Sequence, residues 1–148
     1  MTADIRDSAL RTIATERAGL DALHAALADS LGGPFADAIA MIRASSGRVI
    51  VSGMGKSGHV GRKLTATLAS TGTPAHFVHP AEASHGDLGM VQPDDVVVAL
   101  SWSGEAAELS AIVAYTRRFR VGLIAITANA ESALGREADI ALVLPKAQ

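Results

Sequence analysis

The stretch VSGMGKSGHVG, residues 51–61, carries an apolar strand straight into a glycine-rich turn with one lysine, one serine and one histidine. Gly53, Gly55 and Gly58 satisfy G-x-G-x-x-G between a strand-like and a helix-like segment, the setting of a dinucleotide-binding turn. Such a turn also needs an acidic residue closing the second strand to hold a ribose, and that strand ends in HFVHP, at His79 and Pro80. A triphosphate loop would need a glycine at position 50, which is Ile50. What survives is a general anion cradle: small residues admit a ligand to the backbone, and N–H groups at a helix start, beside Lys56 and Ser57, favour a phosphate. A tight strand-to-helix turn with no ligand has the same spacing, so both readings stand at this point.

Outward from this turn, five short runs rich in Val, Ile, Leu and Ala read as strands: 48–52, 75–79, 95–101, 121–126 and 139–144. Helix-like stretches at 57–70, 105–118 and 131–137 separate them, and the middle strands are apolar on both faces. This predicts an α/β fold with a parallel sheet covered by helices on each side. Upstream, Leu10, Ile13, Ala14, Leu20, Leu23, Leu27 and Leu31 recur mostly three, four and seven apart, which predicts an amphipathic helix over 4–31 stopped by Gly32-Gly33-Pro34. A second helix is expected over 35–45.

With 148 residues, 49% of them hydrophobic, the chain suits one domain with a real core. A net charge of −2 with scattered charges argues against a nucleic-acid or membrane surface and favours small molecules or further copies of the chain as partners. There is no cysteine, which removes disulfides, thiol nucleophiles and thiolate metal sites. The opening MTADIRDSALRTIATERAGL has early acidic residues and no uninterrupted apolar run, so it resembles neither a signal peptide nor a membrane span, and a cytoplasmic location is expected.

A second turn, SWSGE at 101–105, repeats the design of the first: Ser101 and Ser103 supply hydroxyls, Gly104 allows the bend, and Glu105 is expected to start a helix. A plain helix cap explains the serines alone, but two such turns at the carboxyl ends of parallel strands would face one crevice. Between them, HPAEASHGDLGM at 79–90 gathers His79, Glu82, His85 and Asp87, groups suited to proton transfer, to a hydrogen-bonded structural role or to a metal. The six-residue spacing of His79 and His85 matches no recognised zinc pattern, so no metal is expected. His59 and His76 read as packing histidines and His24 as a surface one. Glu105 and Glu108 would share the first turn of the 105–118 helix, either complementing its dipole or presenting a base to the crevice.

The run GMGKSGHVGRKLTATLASTGTPAHFVHPAEASHGDLGMVQPDDVVVALSWSGEAAEL resembles the sugar isomerase (SIS) domain of arabinose 5-phosphate isomerases, with ASTGTP, EASHGDLGM and SGE as its specific motifs. The resemblance covers 47–146 and implies a three-layer SIS-type fold, a five-stranded parallel sheet flanked by helices, with residues 1–46 as N-terminal helices packing on the domain and 47–148 as the sugar-phosphate-binding core. It implies interconversion of ribulose 5-phosphate and arabinose 5-phosphate, for lipopolysaccharide or capsule synthesis, without a cofactor. By position, Lys56, His85 and Glu108 match the family's catalytic groups, while Gly55, Ser57, Gly58, Ser101, Ser103, Gly104 and Glu105 fall in its phosphate-binding loops. A dimer or tetramer sharing active-site residues is also implied.

Trp102 stands where many relatives carry asparagine, and Ala106 where a threonine is common. Relatives continue past the last strand with a Glu-Ala-Cys-Pro run, a Thr-Thr-Ser loop, a long helix and often tandem CBS modules, whereas this sequence ends at Gln148, so the implied fold lacks the final helix. A non-catalytic SIS module that binds a phosphosugar and regulates a partner is the alternative function. A hexulose or heptose phosphate isomerase is disfavoured by the EASHGDLG run.

Overall fold

The computed structural model describes residues 2–146. Its five strands are β1 (Val49–Gly53), β2 (Ala75–Phe77), β3 (Val96–Leu100), β4 (Gly122–Thr127) and β5 (Ile140–Val143), all parallel, in the order β2-β1-β3-β4-β5. The helices are α1 (Thr2–Ala28), α2 (Gly32–Ala44), α3 (Gly55–Ser70), α4 (Pro80–Ala83), α5 (Ser110–Phe119) and α6 (Ala133–Glu137), with 3-10 turns at Asp87–Met90 and Ala107–Leu109. The parallel sheet flanked by helices is the fold expected from the sequence.

Strand periodicity sorts the core into two layers. Val49, Val51, Val96, Val98, Leu100 and Ile124 point to the face covered by α2 and α3, where Ala38, Met41, Leu64 and Leu68 meet them. Ile50, Val97, Ala99, Leu123 and Ala125 point to the other face, covered by Ala83 of α4, Ile112 of α5 and Leu134 of α6. Because both faces are buried, the strands read as apolar runs without alternation.

Several boundaries differ from the sequence reading. Gly32-Gly33-Pro34 does not stop a helix but opens α2; proline is tolerated there because a first-turn N–H has no intrahelical partner. The break lies at residues 29–31, where the Leu31 N–H closes onto the Ala26 carbonyl at 2.9 Å. The expected 105–118 helix begins late, as the 3-10 turn and then α5. The 79–90 loop contains α4 and a 3-10 turn that periodicity did not reveal, since each is only four residues long. α1 touches the rest of the chain through Leu23 and Ala26, while Ile5, Leu10, Ile13 and Leu20 are 57–68% exposed.

The entry to the sheet is pinned by Asp95, whose buried carboxylate accepts from the Arg48 backbone N–H at 2.7 Å, the Gln92 N–H at 2.8 Å and the Arg48 guanidinium at 2.8 Å. Burial alone would push this carboxyl up, but the donors of Arg48 and Gln92 outweigh it and hold the group below its ordinary value. Truncation by Asp95→Ala strands those donors and is expected to cost about 2–3 kcal/mol at pH 7. Thermal unfolding should read this as a fall in Tm of roughly 5–10 °C for a domain of this size. Since the folded-state pKa lies below the unfolded one, the contribution is complete at neutral pH and disappears as pH falls through the folded value. The Tm gap between wild type and Asp95→Ala should therefore begin to narrow below about pH 4 and close only below the folded value.

Candidate functional site

β1 and β3 are neighbours, yet the chain leaves them in opposite directions, from β1 outward to β2 and from β3 outward to β4. At such a switch point the loops after the two strands diverge and leave a crevice at their carboxyl ends. Gly53 pairs with Leu100 in register, so the glycine turn and the serine turn lie side by side across it.

The glycine turn has one position that favours glycine by its backbone and one that requires it for space. Gly55 opens α3 at φ +54°, and a Cβ on Gly58 would lie 2.6 Å from the Gly53 carbonyl oxygen. Gly58 thus lets α3 start directly against the end of β1. No side chain caps α3, and the Gly58 N–H closes on the Met54 carbonyl at 3.2 Å, leaving the N–H groups before it at the positive end of a 16-residue helix. Lys56 and Ser57 line a groove of roughly 260 Å³ with Val60, Leu100, Ser101 and Trp102.

In the serine turn, the buried Ser101 hydroxyl oxygen accepts from the Gly104 N–H at 3.1 Å, and the exposed Ser103 hydroxyl oxygen accepts from the Glu105 N–H at 3.2 Å. Each hydroxyl keeps its hydrogen to donate, which suits an acceptor-only phosphate. Gly104 sits at φ +72°. Glu105 departs from expectation: it precedes the helix, and its Oε1 accepts from the Ala133 N–H at 3.0 Å, capping α6 instead of entering the groove. Glu105 and Glu108 therefore do not share a helical turn; Glu108 stands exposed on the Ala107–Leu109 3-10 turn.

His79 caps α4, its Nδ1 accepting from the Ala81 N–H at 3.3 Å. His85 is exposed two residues past α4, and α4 packs against the 3-10 turn that carries Glu108. His59 and His76 are exposed rather than packed. α3 turns Gly58, Gly61, Leu64 and Leu68 inward and leaves His59 outside, while β2 is an edge strand whose Ala75 and Phe77 face α3. His24 is exposed, as expected. Among the described residues no group of three or more His, Asp or Glu is disposed to hold a metal.

A larger groove of roughly 480 Å³ lies on the other side of the serine turn, floored by Leu109, Val113 and Leu134. It is lined by Glu105, Arg117 and Glu137 but by no lysine or histidine, and Glu105 and Arg117 are engaged with Ala133 and Asp139. The smaller groove holds Lys56, Ser57 and Ser101, while neither His85 nor Glu108 is among the residues that line it. Two supporting residues escaped the sequence reading: the fully buried Ser52, whose hydroxyl donates to the Val78 carbonyl at 2.8 Å, and the fully buried Thr127. A lone hydroxyl inside an apolar strand run was the available signal.

A family model described as SIS domain matches residues 41–148. The chain belongs to the SIS domain family. A Pseudomonas aeruginosa protein named arabinose 5-phosphate isomerase KdsD is 52% identical over 139 residues, covering 94% of this chain and 41% of that protein. An Escherichia coli protein of the same name is 57% identical over 102 residues, covering 69% and 31%. Among solved structures, Escherichia coli CFT073 c3406 in complex with arabinose 5-phosphate superposes with a TM-score of 0.83 at 39% identity, covering 95% of this SIS chain and 74% of that one. The chain thus spans less than half the length of these curated relatives.

Proposed function

We propose that this SIS chain binds a pentose 5-phosphate at the β1/β3 crevice and belongs to an aldose-ketose isomerase that interconverts ribulose 5-phosphate and arabinose 5-phosphate, a step toward lipopolysaccharide or capsule sugars. The observation that carries this reading is the seating of Lys56, Ser57 and Ser101 in one groove, at the uncapped start of α3 and beside the serine turn. The phosphate is held by the N–H groups of Gly55, Lys56 and Ser57 and by the hydroxyls of Ser57, Ser101 and Ser103, with Gly58 letting the helix start against β1 and Gly104 shaping the bend. Isomerisation then needs no cofactor. A base takes a proton from C1 of the ketose, the electron pair forms the C1–C2 double bond, and charge develops on the C2 oxygen. The O1 proton passes to that oxygen, and the base returns its proton to C2. Glu108 or His85 supplies the base, and Lys56 stabilises the oxyanion.

The test is a coupled assay of the 148-residue chain with ribulose 5-phosphate, alongside calorimetric titration of the same sugar. Turnover supports the isomerase, binding without turnover makes this chain the substrate-binding core of one, and the absence of both turnover and binding removes the phosphosugar reading.

We also propose a homo-oligomer, because Ile5, Leu10, Ile13 and Leu20 of α1 are left in water. Full burial of such side chains is worth about 1.5–3 kcal/mol each. Light scattering at micromolar concentration should give a dimer or tetramer, and a monomer would count against it. Among the described residues no single helix is long and apolar enough to cross a membrane. A cytoplasmic site of action suits a charged sugar phosphate.

A further inference from the structure

The serine turn stands on the end of β4, and we infer that Thr127 is its positioning residue: the threonine hydroxyl sets the plane of the Trp102–Ser103 peptide and so aims the Ser103 N–H into the crevice. The ligand named below rests on the phosphosugar reading, whereas the orientation of the turn does not.

The Trp102 carbonyl accepts two hydrogen bonds from the end of β4, from the Thr127 hydroxyl at 3.2 Å and from the Ala128 N–H at 2.9 Å. Two donors occupy both lone pairs of that oxygen. A trans peptide is planar, so its N–H points away from its carbonyl. With the Trp102 carbonyl held down onto β4, the Ser103 N–H is directed away from that strand. The Thr127 hydroxyl has no freedom to turn elsewhere: Oγ1 accepts from the Asn129 N–H at 3.3 Å, which leaves its hydrogen for Trp102, and the residue is fully buried. Strand formation does not call for this hydroxyl, since valine is an equally good strand former.

The turn is also anchored without Thr127, by the Ser101 N–H on the Ile126 carbonyl at 3.0 Å and the Leu134 N–H on the Gly104 carbonyl at 3.0 Å. Removing the hydroxyl should therefore loosen the central peptide and leave the turn attached. This separates a positioning role from a purely structural one.

The experiment compares Thr127→Val, which loses the hydroxyl, with Thr127→Ser, which keeps it, in the full chain. Amide hydrogen exchange at Gly104, whose N–H is held inside the turn, is read without ligand, and the Kd for ribulose 5-phosphate and for inorganic phosphate is read by calorimetry. For Thr127→Val we expect Gly104 exchange to quicken about tenfold and both Kd values to rise about five- to tenfold, the effect of losing one buried hydrogen bond. Thr127→Ser should stay near wild type in every readout. Unchanged Gly104 exchange in Thr127→Val overturns the inference, as does unchanged Kd in a protein whose wild type binds. Faster exchange with a wild type that binds no sugar phosphate would retain Thr127 as holder of the turn and remove the phosphosugar reading. If Thr127→Val fails to fold, Thr127→Ala against the same Thr127→Ser control gives the same comparison.

Discussion

Glu108→Gln is expected to lower kcat for ribulose 5-phosphate by about 10²- to 10⁴-fold, the usual contribution of a positioned base. The fold should be untouched, because Glu108 is exposed on a 3-10 turn whose buried anchor is Leu109. Glutamine keeps the size and the hydrogen-bonding reach of glutamate and loses only the ability to take a proton, so KM should change little. His85→Asn is the companion measurement. If Glu108→Gln retains near-normal turnover while His85→Asn silences the reaction, the base is His85 and Glu108 is a contact. If both variants retain turnover, the assignment of the base to Glu108 or His85 fails.

Gly104→Ala should be strongly destabilising. Gly104 holds φ +72°, which costs an L residue roughly 1–2 kcal/mol. The new Cβ would also overlap the Ser132 side chain and come within 3.0 Å of the Thr127 Oγ1. Ser132 cannot withdraw easily, since it is fully buried, donates to the Asn129 carbonyl at 2.6 Å and accepts from the Gly135 N–H at 3.1 Å. Overpacking of this kind costs about 1–3 kcal/mol more. The combined loss, roughly 2–5 kcal/mol, should lower Tm by about 5–15 °C and abolish phosphosugar binding measured by calorimetry. A variant that folds with normal Tm and binds normally would show that the turn rearranges freely, which its anchors on β4 and α6 argue against.

The parallel α/β architecture was legible because its cause is local. A strand buried on both faces must be apolar at every position, so VVVAL and LIAI announce themselves in windows of a few residues. Glycine positions were legible for the same reason, since a strand entering a helix within a few residues leaves no room for a Cβ at Gly58. Helix starts were less legible. Pro34 marks an interruption in sequence but sits comfortably in a first turn, and Glu105 looks like a first-turn carboxylate although its oxygen is taken by α6, 28 residues onward.

By itself the sequence determined the succession of strands and helices, the two small-residue turns, and the inventory of lysine, histidine, glutamate and serine available for chemistry. Only the tertiary structure decided that β1 and β3 are adjacent, and hence that the two turns share one crevice. It alone withdrew Glu105 from that crevice, placed Thr127 and Ser132 beneath the serine turn, and left the apolar stripe of α1 uncovered. The physical reason is range. Side-chain period and backbone freedom act over neighbouring residues, whereas strand order and hydrogen-bond partners arise from pairings dozens of residues apart that no local window contains.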